Sequence, residues 1–236
     1  MLKYFFYFLL YAFFIFISCS KTNNVTEKND TNSVKEKPII ENNNNSTFND
    51  PKEPDSINNK NTIAFLRKYG ELNKENKILL KTRLGDITLK LYDDTPLHRA
   101  SFIFLTKVGY FDTTCFYRVV PNFVIQGGES ERLDTQNFKA KYMRYKLPSE
   151  FRKNRKHKYG SLALARDWKN NPLKRSTAFE FYIVQNRKGA HHLDGEHTVF
   201  GEVTSGFEVI DKIVNLKAGS DEWPLEDVFI KAIVIK

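Results

Sequence analysis

From Ile78 onward the chain is a succession of short apolar runs separated by turn residues, with only two stretches long enough and suitably spaced for substantial helices. Ile78 to Thr82 and Asp86 to Tyr92 flank Arg83-Leu84-Gly85 and read as a hairpin. In its second strand Ile87, Leu89 and Leu91 share one face, as the two-residue period of a strand requires. Further short strands are expected at 115–119, 123–126, 161–165, 180–184, 198–203 and 228–235. Thr95-Pro96 reads as a helix start, with Thr as N-cap and Pro in the first turn. Leu97, Ala100, Phe104 and Val108 then mark one helical face, and Gly109 stops it. A second helix is expected from Phe207 to about Val214, and a short helical lead-in from Ala64 to Asn76 that packs through Ala64, Phe65, Leu66 and Tyr69. Many short strands, long loops and two helices imply a mainly β fold, a closed barrel plugged by helices.

The N-terminal quarter has a different character. Lys3 is followed by 14 apolar or aromatic residues, Tyr4 to Ile17, which is the length of a signal-peptide core and short of a bilayer span. Phe16-Ile17-Ser18-Cys19 resembles a bacterial lipobox, with Phe at a position where Leu is usual. This predicts a signal peptide over 1–19 and lipidation at Cys19; a plain secretory signal cut near Ser18 and an uncut signal anchor are the other readings. Residues 20–61 are rich in Asn, Lys, Glu, Ser and Thr, with Pro38, Pro51 and Pro54, and are expected to be a disordered tether. As a flexible coil it would reach about 35–40 Å. The division is therefore 1–19, 20–61, a lead-in over 62–77, and one domain over 78–236. Localisation at the cell envelope, through a lipid anchor, follows from Cys19.

Net charge is +9, yet the basic residues are scattered and no aromatic-plus-basic recognition motif accompanies them, so no nucleic-acid partner is expected. The densest run, Arg152 to Lys158, reads as a solvated loop or a docking patch for an anionic surface. Cys115, left without a partner once Cys19 is used, reads as a small core residue. His191, His192 and His197 lack the cysteines or paired carboxylates of a closed metal shell, and Gly127-Gly128-Glu129 lacks the Lys-Ser/Thr of a phosphate cradle, so neither metal nor cofactor is expected.

Several separated blocks then fall into one order. Thr82 to Tyr92 (TRLGDITLKLY), Pro96 to Val108, Phe116 to Glu129 (FYRVVPNFVIQGGE), Gly160 to Arg166 (GSLALAR), Ser176 to Gln185 (STAFEFYIVQ) and Leu193 to Val203 (LDGEHTVFGEV) resemble the successive motifs of the cyclophilins, which are peptidyl-prolyl cis-trans isomerases. The resemblance covers about residues 78–236. It implies a closed eight-stranded antiparallel barrel capped by two helices, with a proline pocket on its outer face. By motif position it makes Arg118 the catalytic arginine, Phe123 the pocket phenylalanine and Gln126 the glutamine that orients both arginine and substrate. Val124, Ala165, Arg166, Glu180, Tyr182, His192, Leu193 and His197 would bind the substrate around them. The expected partners are proline-containing polypeptides, and a monomer suffices.

The chemistry suits these residue types. Amide resonance sets a rotation barrier of about 18–20 kcal/mol, and uncatalysed X-Pro exchange takes roughly tens to hundreds of seconds. No bond breaks, so no nucleophile is needed. The twisted state has a pyramidal prolyl nitrogen, which an arginine can stabilise by hydrogen bonding to it or to the neighbouring carbonyl. Glu180 stands where the family has a neutral amide, and is expected to pair with Arg118 or Arg166. Trp168 is expected either to flank the groove or to pack beneath it. The competing readings are a non-catalytic proline-peptide-binding chaperone module and a structural envelope lipoprotein.

Overall fold

The computed structural model describes residues 57–58, 60–142 and 144–236; the signal segment, Cys19 and nearly all of the tether lie outside them. Strands β1 (Lys77–Thr82), β2 (Gly85–Leu91), β3 (Cys115–Val120), β4 (Val124–Glu129), β6 (Ser161–Leu164), β8 (Phe181–Val184), β9 (Val199–Ser205) and β10 (Lys231–Ile235) form one eight-stranded antiparallel sheet, ordered β10-β1-β2-β9-β6-β8-β4-β3. Strands β5 (Lys146–Leu147) and β7 (Ser176–Thr177) make a separate small ladder. Four helices accompany them: α1 (Thr62–Leu72), α2 (Pro96–Lys107), α3 (Leu133–Lys141) and α4 (Phe207–Val214).

Alternation along the strands sorts side chains onto two faces. Phe181 and Ile183 of β8, Ile125 of β4 and Leu162 and Leu164 of β6 join α2 and α4 in the main core. Phe102, Phe111 and Phe181 meet there with ring centroids 4.6–5.6 Å apart. The intervening residues Val124, Ala163, Tyr182 and Val184 form a second, smaller apolar cluster with Leu193 and Val199, against which Phe123 packs.

The sheet curls but does not close into the expected barrel. Among the described residues, β3 meets only the stretch just before β10, through one isolated bridge, Cys115 to Phe229, flanked by Phe116 N–H to the Val228 carbonyl at 3.0 Å and Ile230 N–H to the Thr114 carbonyl at 2.9 Å. The cause is local. A 3-10 turn at Phe111–Thr113 delays the start of β3, and the Asp112 carboxylate accepts from Ala232 N–H at 2.9 Å, where a longer β3 would have paired. Residues 231–235 therefore pair only with β1.

Helix α2 is buried from Leu97 to Thr106, not along one face, because α1 covers its outer side. Phe65 and Tyr69 of α1 each meet Phe104 at 5.4 Å, and Gly70 passes so close that an added Cβ would lie 3.0 Å from that of Ala100. Ala64, expected in this contact, is exposed. The folded unit also reaches into the expected tether: Ile57 is fully buried, and the Asn58 carbonyl accepts from Thr62 N–H at 3.0 Å. Thr95 does not cap α2 with its hydroxyl, which donates to the Tyr92 carbonyl. Glu150 takes that role, accepting from Leu97 N–H at 3.2 Å and His98 N–H at 2.9 Å. A carboxylate there meets the positive end of the helix.

Candidate active site

Strand register assembles the centre of the site. Arg118 lies opposite Gln126 across β3 and β4, Gln126 opposite Tyr182 across β4 and β8, and Tyr182 opposite Ala163 across β8 and β6. The four positions form a row across adjacent strands, on the face of the second apolar cluster. Gly128 lets β4 pass the residues leading into β8 closely: it has φ +96, and a Cβ there would run into the Phe179 carbonyl oxygen. A groove of about 650 Å³ runs over this row. Arg118, Phe123, Val124, Gln126, Ala165, Arg166, Glu180, Tyr182, Leu193 and His197 all line it. His192 does not; it stacks on Phe123, with centroids 5.5 Å apart. Trp168 lines the groove too, 63% exposed, with the Arg166 guanidinium 4.2 Å over its ring and its edge toward His197. It is thus a flanking residue and not a packed one.

Arg118 is fixed from two sides. Its Nε donates to Glu222 Oε2 at 2.6 Å and its NH1 to Gln126 Oε1 at 3.4 Å. The expected pairing of Glu180 with Arg118 or Arg166 does not occur. Glu180 accepts from the Tyr117 hydroxyl at 2.9 Å and lies 3.6 Å from Lys139 Nζ, while Arg166 pairs with Glu196 at 2.7 Å. The reason is α3, which brings Lys139 into the groove between Glu129 and Glu180. Gln126 Nε2 donates to the same Tyr117 oxygen, so a chain of hydrogen bonds runs from Glu180 through Tyr117 and Gln126 to Arg118. Burial, with the charge of Glu180, raises the Tyr117 pKa well beyond the ordinary range, which keeps its proton available to that carboxylate.

The apolar slot has a polar support behind it. The Tyr182 hydroxyl lies 2.9 Å from His157 Nε2, and His157 Nδ1 lies 2.9 Å from Asp194 Oδ1. Burial lowers the His157 pKa against the pull of Asp194, so the ring is neutral near pH 7. It donates to Asp194 and accepts from Tyr182. His197 is also neutral: burial, aided by Arg166 and opposed by the hydrogen bond to the Leu164 carbonyl, pushes its pKa down to about 4.

Sequence reasoning missed Tyr117, Lys139, His157 and Glu222. His157 sat inside the basic run Arg152 to Lys158, where charge masked it. Part of that run is also spent internally: Arg155 lies 3.5 Å over the Tyr92 ring and pairs with Asp94, and Lys156 is 3.6 Å from Asp194. Cys115 is buried as expected, its thiol donating to the Glu129 carbonyl, and burial pushes its pKa up to about 12. The three histidines near residue 195 turn to separate partners: His191 to Asp194, His192 to Phe123 and His197 to Leu164.

A curled antiparallel sheet thus carries an apolar slot on one face, with a held guanidinium beside it. Residues 77–235 match the family described as cyclophilin type peptidyl-prolyl cis-trans isomerase/CLD, and the chain belongs to that family. Among relatives, a bifunctional phosphatase/peptidyl-prolyl cis-trans isomerase of Streptococcus pyogenes is 30% identical over 201 residues, covering 71% of this chain but 41% of its own length. A peptidyl-prolyl cis-trans isomerase-like protein of Gibberella zeae is 32% identical over 159 residues, 66% of this chain and 26% of its own. The chain thus spans less than half of each of these two. A peptidyl-prolyl cis-trans isomerase of Staphylococcus aureus is 28% identical over 200 residues, 71% of this chain and 98% of its own. The fold matches a Cryptosporidium parvum cyclophilin-type isomerase crystallised with the dipeptide Ala-Pro, with a TM-score of 0.56 at 22% identity, covering 68% of this chain and 99% of that one.

Proposed function

We propose that this chain accelerates rotation about X-Pro bonds in exported or envelope polypeptides, with Arg118 as the group that stabilises the twisted amide. One observation carries the reading: the Arg118 guanidinium borders an apolar slot and is held through Nε and NH1, which leaves further N–H donors for substrate. Phe123, Val124, Tyr182 and Leu193 would seat the prolyl ring. Ala165, Arg166, His197 and the Phe123-stacked His192 would border the peptide, with Glu180 beyond Gln126. As the amide twists, the prolyl nitrogen gains lone-pair character, and a fixed donor stabilises that state more than the planar ground state. Each 1.36 kcal/mol of such preference gives about tenfold in rate.

A non-catalytic binding module gained its support from a Glu180 that would occupy Arg118. With Glu180 held by Tyr117 and Lys139, that support is gone. A protease-coupled assay with an X-Pro peptide tests the choice. The full chain should speed cis-to-trans conversion, and no acceleration over the uncatalysed rate would leave the binding module as the better reading.

The envelope location rests on Cys19 and the apolar segment before it, with a double acyl anchor giving stable membrane attachment at about 0.8 kcal/mol per buried CH₂. In cells fed labelled palmitate the chain should take up label and Cys19→Ser should not; equal labelling of both would refute the anchor.

A further inference from the structure

The carboxylate on Arg118 comes from far along the chain. Glu222 lies 104 residues beyond Arg118, in a turn closed by a bridge between Ala218 and Pro224 and by Gly219 N–H donating to the Trp223 carbonyl at 2.8 Å. This turn docks on β3 at three consecutive residues. The Glu222 carbonyl accepts from Val119 N–H at 2.9 Å, its carboxylate takes Arg118 Nε, and the Trp223 ring lies 5.5 Å from Tyr117. Trp223 is held in turn by donating Nε1 to Asp227 Oδ1 at 3.3 Å.

The backbone at Glu222 has φ +66, in the left-handed region where glycine or asparagine costs least. The turn holds Glu222 through its backbone, whose N–H donates to the Gly219 carbonyl at 3.0 Å, and makes no use of the carboxylate. What its side chain does gain is a short, charge-assisted bond to the Arg118 guanidinium that lines the groove. Arg118 lines the groove, and the carboxylate takes its Nε–H, which leaves N–H donors on both terminal nitrogens for a ligand there.

We propose that Glu222 is a positioning residue for Arg118, fixing the guanidinium plane so that its free N–H donors face the prolyl amide. The proposal rests on the arginine-centred reading above. Gln126 alone, at 3.4 Å from NH1, would leave the plane free to turn about that single long contact. Misplacing a reacting group by about 1 Å can cost on the order of 100-fold in rate.

The test is NMR exchange on an X-Pro peptide, which separates kcat from KM, using the full chain with Glu222→Ala, Glu222→Gln and Arg118→Ala. Glu222→Ala should lower kcat about tenfold or more and leave KM within about twofold. Glu222→Gln keeps an oxygen for Nε–H and should recover most of the rate. The Arg118 Nε–H signal should exchange slowly with water in the wild type and in Glu222→Gln, and quickly in Glu222→Ala. An unchanged or raised kcat in Glu222→Ala, with Arg118→Ala inactive, overturns the positioning role alone. A fall in melting temperature and a rise in KM, with kcat unchanged, would make Glu222 a structural residue and also overturn it. Wild-type activity in Arg118→Ala would instead remove the arginine-centred reading on which it stands.

Discussion

Acid should destabilise this fold well above the range in which its carboxylates titrate, and His197 is the main reason. The side chain is buried at the groove wall, its ring between Tyr182 and Trp168, and its Nδ1 donates to the Leu164 carbonyl. Its pKa falls from 6.5 to about 4 because burial disfavours the charged ring, and the nearby Arg166 charge adds to that against the hydrogen bond to Leu164. The unfolded chain keeps a histidine pKa near 6.5, so between pH 6.5 and 4 it binds more protons than the native state, and stability falls as pH falls. The gap of about 2.5 pH units corresponds to about 3 kcal/mol in full, of which about 2 kcal/mol is lost by pH 5. For a domain of this size each kcal/mol moves the melting temperature by about 2–4 °C, so a fall of about 4–8 °C is expected between pH 7 and pH 5. His157, whose pKa is also lowered by burial, adds to the same slope. Glu150 and Asp194 do not: burial raises their pKa values but hydrogen bonds from His98 and His157 outweigh it, and their contribution is lost only as pH falls below the ordinary carboxylate range. Urea unfolding followed by tryptophan fluorescence at pH 7, 6 and 5 measures the slope. His197→Gln, which can still donate to Leu164, should flatten most of it. A stability profile that is level from pH 7 to 5, or one that His197→Gln leaves unaltered, would refute the reasoning.

Two substitutions separate the groove's supports from its working parts. Glu180→Gln keeps an acceptor for the Tyr117 hydroxyl while Glu129 still holds Lys139, so kcat/KM should be preserved or raised; a loss of more than tenfold in the coupled assay would contradict this. Tyr182→Phe keeps the slot's ring but strands the buried His157 Nε2, and should cost about 1–3 kcal/mol in urea unfolding while kcat/KM stays within about threefold. An unchanged midpoint would mean that the Tyr182–His157–Asp194 chain carries no load.

Most strands were legible because alternation is local, and Arg118, Gln126 and Tyr182 because motif order is; register then sets the three in one row, while the two-residue strands β5 and β7 are too short to show a pattern and the expected strand at 228–235 begins only at Lys231. Helix α4 ends where its sequence periodicity ends, since Val209, Ile210, Ile213 and Val214 make one apolar face. Helix α3 was invisible for the opposite reason. Its sequence LDTQNFKAK buries Thr135 and Lys139 and leaves Leu133 exposed, so no apolar stripe marks it. Lys139 reads as a surface cation until Glu129 and Glu180 are seen on either side. Glu222 and His157 act through contacts made far along the chain or within a charged run, which no spacing announces. At the open seam the Asp112 carboxylate accepts from Ala232 N–H, a contact between distant residues that no local pattern marks.

Arg118 should act on the rotating bond and not only on binding. Exchange spectroscopy on an X-Pro peptide titrated with wild-type chain and with Arg118→Ala measures affinity and interconversion in the same sample. Arg118→Ala should still bind the peptide, with chemical-shift changes at Phe123 and Tyr182, and lose on the order of 100-fold or more in bound-state exchange, as removal of a single transition-state donor does elsewhere. Exchange in Arg118→Ala at the wild-type rate would contradict it.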